Sequence, residues 1–424
     1  MSSSQRIFPI KSKTACLLKW SWSTIFFNSG STASCHRTIQ YPIDPNNFDQ
    51  FHNLPGKLND RRSMLNGEWP ESDCRYCKRV EDIGGYSDRQ MQLDAQQDPD
   101  LTPPELTINN QQLDVTPTIV EAFFNNTCNM KCVYCGPAFS SVWEDENRKF
   151  GSLSQKQEPA FSVRVKQHNL HYDKMVDDFW KYLSSNDRYK VIRRFHILGG
   201  EPFLIKEIDQ CIDFWKDHPN PDLVVSVISN LNIPHDRFVK YIDRFEQLVL
   251  TNKIWKFQLT ASLDCRGDEQ TYTRFGLDLD LWDKNFNYIL SKPTITPSIN
   301  SSISVLTIRR LPDLLNLINE WNKKQAASDA ELIQHSFSTS YHFDNPYMFD
   351  GEMFNNDFKT ILSLMPEDNN VQKNQKLAMQ GIADRMSEST TNVEKIERFK
   401  NYLDELDRRR GTNWRALFPW LDKD

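Results

Sequence analysis

Three cysteines lie close together in the segment NNTCNMKCVYCG, where Cys128, Cys132 and Cys135 are spaced as C-x3-C-x2-C. With nine cysteines in 424 residues, roughly 0.004 such triplets are expected by chance. Three thiolates in one loop can hold a four-iron cluster and leave one iron without a protein ligand, which could then bind a small molecule. A zinc site or three unrelated thiols is the alternative, although three cysteines alone do not close a structural zinc site.

A second set of cysteines precedes this loop. Cys16 and Cys35 lie on either side of Gly30, and the pair Cys74 and Cys77 follows in ESDCRYCK. Four thiolates can fully ligate a second iron-sulfur cluster or a tetrahedral structural zinc. The spacing does not distinguish between these two metals.

Small and polar residues follow three short apolar runs. They are Gly199, Gly200 and Glu201 in FHILGGEPFL, Ser229 and Asn230 in SVISNLN, and Ser262 and Asp264 in TASLDCRGD. Glycines let the backbone approach a ligand closely, and a carboxylate can accept hydrogen bonds from it. Ordinary turns and helix caps are the alternative for such residues. The two remaining cysteines, Cys211 and Cys265, are expected to be buried, inert thiols.

The elements that must position these residues alternate along the chain. Runs rich in β-branched and apolar residues occur at TIVEAFF, FHILGG, LVVSVIS, WKFQLTASLD, SINSSISVLTI and ELIQHSFSTS. Amphipathic stretches separate them, which predicts about six strands, each followed by a helix. Right-handed crossovers would make the sheet parallel. The predicted fold class is therefore α/β, a partial (β/α)6 TIM-like barrel with the candidate site at its C-terminal mouth.

The chain is predicted to divide into four segments. Residues 91–116 are rich in Gln, Asp, Asn and Pro and are interpreted as a linker. It separates a small N-terminal cysteine domain, residues 1–90, from the barrel, residues 117–345. Charged helical segments from about Val371 predict a C-terminal helical extension over residues 346–424.

Composition argues against several classes of partner. The net charge of -6 comes from interspersed acids and bases without a basic stripe, so nucleic-acid binding is not indicated. The apolar stretch from Cys16 to Phe27 is broken by Lys19 and Ser21 and no cleavage site follows, so neither an export signal nor a membrane span is predicted. Nine cysteines without an export signal indicate a reducing, cytoplasmic location.

The C-x3-C-x-aromatic-C motif resembles the signature of the radical S-adenosylmethionine superfamily, with Tyr134 at the aromatic position. Gly-Gly-Glu-Pro, which includes Glu201, matches the family's GGEP motif. The resemblance implies that the three loop cysteines carry a 4Fe-4S cluster whose open iron chelates S-adenosylmethionine, which is then cleaved to a 5'-deoxyadenosyl radical. It further implies cofactor contacts for Tyr134, the GGEP loop, Asn230, Ser262 and Asp264. Arg274 and Gly276 also resemble a pattern seen in peptide-modifying members.

The N-terminal cysteines are similar to a twitch domain, a shortened SPASM-type auxiliary-cluster domain. In better-known members this domain follows the barrel, whereas here it precedes it. The resemblance implies electron transfer between a second cluster and the substrate radical. It also implies an electron donor such as a flavodoxin or ferredoxin, and a peptide or protein substrate, with a small molecule as the alternative. A non-catalytic iron-sulfur or zinc scaffold is the other functional hypothesis, which the intact loop cysteines and Glu201 disfavour.

Overall fold

A computed structural model of the chain describes residues 14–35, 38–70, 74–82, 87, 89–90, 113–153, 169–328, 330–339 and 344–422. These residues contain one nine-stranded, mostly parallel sheet with the order β3-β2-β1-β4-β5-β6-β7-β8-β9. The strands are β1 (Trp22–Phe26), β2 (Ser31–Ala33), β3 (Tyr41–Pro42), β4 (Ile119–Phe123), β5 (Arg194–Leu198), β6 (Asn220–Ser229), β7 (Ile254–Ser262), β8 (Ile295–Ile303) and β9 (Gln334–Thr339). Of the predicted linker, residues 91–112 lie outside the described part of the chain.

Helices connect and cover these strands. They are α1 (Leu18–Ser21), α2 (Pro55–Leu65), α3 (Arg75–Asp82), α4 (Ser141–Phe150), α5 (Tyr172–Ser184), α6 (Glu207–Asp217), α7 (His235–Leu250), α8 (Asp268–Thr273), α9 (Leu279–Leu290), α10 (Leu311–Ala327), α11 (Asn355–Leu364), α12 (Asn370–Ser387), α13 (Val393–Arg410) and α14 (Trp414–Leu417). Short 3-10 turns lie at Phe48–Gln50, Ser185–Val191, Pro202–Leu204, Ile308–Arg310, Pro346–Met348 and Gly351–Phe354. None of the helices in the described residues is long and apolar enough to cross a membrane.

Strands β4 to β9 are parallel and lie side by side in the order in which they occur in the sequence. They coincide with the six predicted runs, so the predicted alternation of parallel strands and helices is confirmed. Because each crossover between neighbouring parallel strands is normally right-handed, consecutive connections place their helices on the same face of the sheet. All of these strands end at one edge, which we call the carboxyl edge.

The two faces of the sheet differ in polarity. In β7, Phe257, Leu259 and Ala261 are fully buried, and the ring of Phe257 stacks on Phe245 of α7 with ring centroids 4.1 Å apart. The alternate residues Gln258, Thr260 and Ser262 are only half-buried. Since successive side chains of a strand point to opposite faces, the apolar set faces the helices and the polar set faces away from them.

Three N-terminal strands extend the same sheet, a feature that sequence reasoning missed. β1 pairs in parallel with β4 over its whole length, and β2 and β3 follow it as antiparallel strands. The sheet therefore includes residues from both sides of the predicted linker. The division of the chain into four segments stays a prediction.

Candidate functional site

The cysteine loop, residues 125–136, leaves the carboxyl edge directly after β4. Its backbone is hydrogen-bonded to the end of α8 and the residues just after it, since the N–H of Val133 donates to the carbonyl of Thr273 (2.7 Å) and the N–H of Lys131 donates to that of Phe275 (2.8 Å). The N–H of Cys128 donates to the hydroxyl of Ser141 at the start of α4 (3.1 Å). These contacts fix a loop that has little regular structure of its own.

The three thiols of this loop are close enough to shift one another's pKa values electrostatically. Burial raises the pKa of Cys128 to about 12, and the neighbouring Cys132 adds to the effect. Burial also raises the pKa of Cys135, with further contributions from Cys132 and Cys128. Without a cation the three would remain thiols, and a bound metal would have to displace their protons.

The described residues contain no group of three or more His, Cys, Asp or Glu side chains arranged to hold a single metal ion. The case for a metal group at either cysteine set therefore depends on the chemistry of the donors and on their proximity. Three thiols of one loop, none of them in a disulfide, are soft ligands of the kind that bind iron-sulfur clusters or zinc.

The GGEP loop, residues 199–202, lies directly against the cysteine loop. The N–H of Gly200 donates to the carbonyl of Asn125 (3.1 Å), and the N–H of Glu201 donates to that of Thr127 (2.7 Å). A Cβ atom at Gly200 would lie 2.3 Å from the carbonyl oxygen of Thr127, and one at Gly199 would lie 2.8 Å from that of Asn125. Glycine is required at both positions because the two backbones touch.

Glu201 is fully buried, and both of its carboxylate oxygens accept hydrogen bonds. The donors are the N–H of Phe203 (3.1 Å), the hydroxyl of Ser229 (2.9 Å) and the N–H of Asn230 (2.7 Å). Burial raises the pKa of this carboxyl to about 7, although the three hydrogen bonds act in the opposite direction. The side chain thus ties the end of β5 to the end of β6, and its predicted contact with a bound molecule stays a prediction.

Asn230 connects the end of β6 with the cysteine loop. Its amide nitrogen donates to the side-chain oxygen of Asn129 (2.9 Å) and lies 3.8 Å from the sulfur of Cys128. Hydrogen bonds to cysteine sulfurs help to set the reduction potential of iron-sulfur clusters. The predicted residue therefore lies next to the thiols.

Asp264 is the centre of a buried ion-paired network rather than a free carboxylate. It accepts two hydrogen bonds from Arg274 (2.8 and 2.9 Å), one from the hydroxyl of Tyr134 (2.7 Å) and one from the N–H of Ser302 (2.8 Å). Burial alone would lower the pKa of Arg274, but the carboxylate of Asp264 holds that pKa above its usual value. The network links the ends of β7 and β8 to the aromatic residue of the cysteine loop.

Helix α13 contacts the cysteine loop from the C-terminal region, which sequence reasoning did not predict. The buried hydroxyl of Tyr402 donates to the carbonyl of Val133 (2.6 Å). The indole N–H of Trp143 in α4 donates to the carbonyl of Cys132 (2.9 Å), and the guanidinium of Arg410 lies 4.6 Å from the centre of that indole ring. The last residue of α13 is thus packed directly behind the loop.

The charge of Arg410 is neutralised by Glu146, and both side chains are buried. The distances between their paired atoms are 3.2 and 3.1 Å, and Lys131 also pairs with Glu146 at 2.7 Å. Two cations therefore face one carboxylate in this group. Burial raises the pKa of Cys132, while Arg274 and Arg410 act in the opposite direction.

The polar face of the sheet, which points away from the helices, extends from the carboxyl edge towards the beginning of the strands. Its side chains lie in register across neighbouring strands: Glu121, His196, Ser226 and Gln258 in one row, and Ser262, Asn300 and Ser336 in another. The predicted residue Ser262 belongs to this face and is half-buried. A molecule bound over these two rows would therefore meet hydroxyl, amide and imidazole groups and the carboxylate of Glu121.

The structure also brings the other four predicted cysteines together, at a different place. We call Cys16, Cys35, Cys74 and Cys77 the N-terminal cysteine set. The first three pack around one small apolar cluster that includes Met64, and Cys77 interacts electrostatically with Cys16. Cys211 and Cys265 are fully buried, as predicted.

No protein-family model and no curated protein sequence matches the chain. One solved structure that resembles it is TYW1 with a lysine-pyruvate adduct bound, at 16% sequence identity over 56% of this chain and 69% of that chain, with a TM-score of 0.29. Another is Streptococcus suis SuiB bound to S-adenosylmethionine, at 11% identity over 81% of this chain and 75% of that chain, with a TM-score of 0.31. Resemblances of this size are partial, and the site has to be interpreted from its own geometry.

Proposed function

We propose that the chain is a radical S-adenosylmethionine enzyme that abstracts hydrogen from a polar substrate, such as a peptide or protein. The observation that supports this most directly is the contact between the cysteine loop and the GGEP loop at the carboxyl edge of a parallel sheet. Two motifs about 65 residues apart in the sequence, each weaker alone, are joined there by backbone hydrogen bonds. The open carboxyl ends of parallel strands are also where such folds commonly bind ligands.

The donor set fits a 4Fe-4S cluster with one open iron. Cys128, Cys132 and Cys135 supply three thiols from one loop, and the side chain that lies beside Cys128 is the amide of Asn230, a hydrogen-bond donor. Bound there, the cluster and S-adenosylmethionine would supply reductive cleavage of the sulfonium and hence the 5'-deoxyadenosyl radical. A small soluble electron donor, such as a flavodoxin or ferredoxin, would be required for the reduction.

The chain's own residues then position the reactants. Gly199 and Gly200 keep the backbone close to the thiols, and Glu201 holds the ends of β5 and β6 in a fixed relation. The pair formed by Asp264 and Arg274 orients Tyr134 within the cysteine loop. Because Glu201, Asp264 and Arg274 are buried, they help to exclude water from the base of the loop, as an intermediate of this reactivity requires.

Three finer features belong to the same proposal. The sheet is proposed to curve into a partial barrel, which the sequential strand order and the polar face opposite the helices support. The N-terminal cysteine set is proposed to hold a second four-thiolate group, similar to that of a twitch domain. The reducing conditions that thiol ligands need support a cytoplasmic location.

The deciding experiment is anaerobic reconstitution with iron and sulfide, followed by analysis of S-adenosylmethionine cleavage under dithionite. The wild type is compared with a variant that combines Cys128→Ala, Cys132→Ala and Cys135→Ala. Cys211→Ala is the matched control, because it removes a fully buried thiol outside both cysteine sets. We expect 5'-deoxyadenosine from the wild type and the control, and none from the triple variant.

The second functional hypothesis, a non-catalytic scaffold, predicts a different result. A reconstituted wild-type protein that binds iron or zinc but forms no 5'-deoxyadenosine would refute the enzymatic proposal. Equal cleavage by the wild type and the triple variant would show that the loop cysteines do not carry the reaction.

A further inference from the structure

The N-terminal cysteine set lies at the amino edge of the sheet, where the parallel strands begin. β1 and β4 are parallel and in register from Trp22 and Ile119 to Phe26 and Phe123. Cys16 precedes β1, so it lies on the side where β4 starts. The N–H of Thr118 donates to the carbonyl of Ser21 at the same edge (2.9 Å).

The other members of the set reach this edge by independent routes. β2 runs antiparallel to β1, with Ala33 opposite Thr24, so Cys35 follows the end of β2 and lies at the amino edge as well. Cys74 packs against the same apolar cluster as Val115, which precedes β4. The topology thus places the set beneath the beginning of β1 and β4.

The cysteine loop begins beyond the opposite end of β4. That strand has five residues, and a strand rises roughly 3.3 Å per residue, so the two edges are about 17 Å apart. A group bound by the N-terminal cysteine set therefore cannot touch a molecule that lies over the cysteine loop. This placement leaves no direct contact between such a group and the substrate, so the electron transfer that the sequence resemblance implied would have to cross the length of β4.

Strand β1 is held independently of the set, because Ile25 is buried in the main core. The segments that carry the set meet in a separate apolar cluster of six buried members. Two ion pairs support it: Lys19 with Asp60 (2.7 Å) and Arg89 with Glu81 (2.5 Å). Small units with so little core are commonly stabilised by a structural metal.

We propose that the N-terminal cysteine set is a four-thiolate bracing site that fastens the segment before β1 to α2 and α3 at the amino edge of the sheet, and that takes no part in the substrate reaction. The claim that the set takes no part in the substrate reaction rests on the proposed function, whereas the bracing role does not. Four thiolates suit a fully ligated 4Fe-4S cluster, or a tetrahedral zinc around which the side chains would have to move closer together, since no three of them in the described residues are arranged around a single ion. Lys19 and Arg89, which interact electrostatically with Cys16, would offset part of the negative charge.

The test uses the full-length protein with the double substitution Cys74→Ala and Cys77→Ala, and Cys211→Ala as the control. Iron and zinc are measured per chain, and limited trypsin digestion is followed at Lys19, Lys57 and Arg61, which are buried in the folded protein. We expect the double variant to lose the metal of one site and to be cut at these residues at least about ten-fold faster, because local opening exposes them. Formation of 5'-deoxyadenosine per remaining iron should stay within about two-fold of the wild type.

Two results would overturn the proposal. If the digestion pattern and metal content equal those of the wild type, the set is not a brace. If 5'-deoxyadenosine formation is lost while the digestion pattern is unchanged, the set belongs to the reaction. Should the double variant fail to fold, the single variant Cys35→Ser is measured instead, and its metal content, digestion pattern and 5'-deoxyadenosine formation are judged by the same criteria. A wild type that cleaves no S-adenosylmethionine would refute the proposed function, while the metal and digestion results would still decide the bracing role.

Discussion

The ion pair between Asp264 and Arg274 gives the sharpest test of the site's architecture. Asp264 is fully buried and Arg274 is 7% exposed, and the two are joined by two hydrogen bonds. Asp264→Asn keeps the shape of the side chain but turns one acceptor oxygen into a donor that faces other donors. It also leaves a buried guanidinium without its counter-charge. Removing one partner of a buried pair costs about 3–5 kcal/mol, and we expect a loss in this range.

The chain offers a matched control in the pair of Asp283 and Arg266. This pair is also joined by two hydrogen bonds, of 2.8 and 2.7 Å, but its side chains are 31% and 22% exposed. Asp283→Asn should therefore cost about 1 kcal/mol or less, because partly solvated pairs contribute little. The chemical change is identical, so the contrast measures the combined effect of burial and of the two further hydrogen bonds that Asp264 accepts from Tyr134 and Ser302.

The assay is urea unfolding of the wild type and both variants under anaerobic conditions, followed by tryptophan fluorescence. We expect a clearly lower unfolding midpoint for Asp264→Asn than for Asp283→Asn. Iron retained after reconstitution should also fall for Asp264→Asn, because Tyr134 of the cysteine loop loses its acceptor. Equal unfolding midpoints for the two variants would refute the view that this network organises the site.

Three further predictions concern neighbouring groups. Gly200→Ala should disrupt the contact between the cysteine loop and the GGEP loop and so lower the amount of iron retained after reconstitution. Its control is Gly381→Ala in α12, where nothing lies within 4 Å of the added atom. That change should leave the protein's stability unaltered or raise it by up to about 1 kcal/mol. Burial raises the folded-state pKa of Glu201 from 4.5 to about 7, so its contribution to stability is present at low pH and is lost as the pH rises through about 7. Between pH 5 and pH 7.5 this loss should amount to about 2 kcal/mol, and Glu201→Gln should remove this pH dependence from urea unfolding measured at the two pH values. Arg410→Gln should destabilise the protein by about 3 kcal/mol, the lower end of the range for a buried pair, because Lys131 still pairs with Glu146. Its control is Arg415→Gln, which breaks a pair with Asp404 in which Arg415 is 47% exposed and should cost about 1 kcal/mol or less. Thermal unfolding of both variants and the wild type measures the difference.

The six parallel strands could be predicted because most of them are apolar on the side that faces the helices and are bounded by turn residues. β1 has the pattern WSTIF, in which buried serine and threonine interrupt the apolar residues, and β2 and β3 have only three and two residues. A periodicity argument has too little pattern to detect in strands like these. Their place in the sheet is set by long-range pairing with β4.

The site was predictable where its chemistry depends on local spacing, as in the cysteine loop and the GGEP loop. Its supporting contacts were not, because they join distant segments. The hydroxyl of Tyr402 and the carbonyl of Val133 are 269 positions apart, and Arg410 and Glu146 are 264 apart. An arginine at the end of a charged helix is usually solvated, and only the folded structure shows this one buried against an indole ring.

The carboxylates that the sequence motifs emphasise are used within the protein, and this has a consequence for binding. Glu201 accepts three hydrogen bonds and Asp264 accepts four, while Glu146 pairs with two cations. Each of these buried charges has its partners in place before any ligand arrives, which makes the surrounding loops rigid. The cysteine loop is therefore ordered by folding itself. A group that binds its thiols would not have to order the loop as well, so more of the binding energy would remain for affinity.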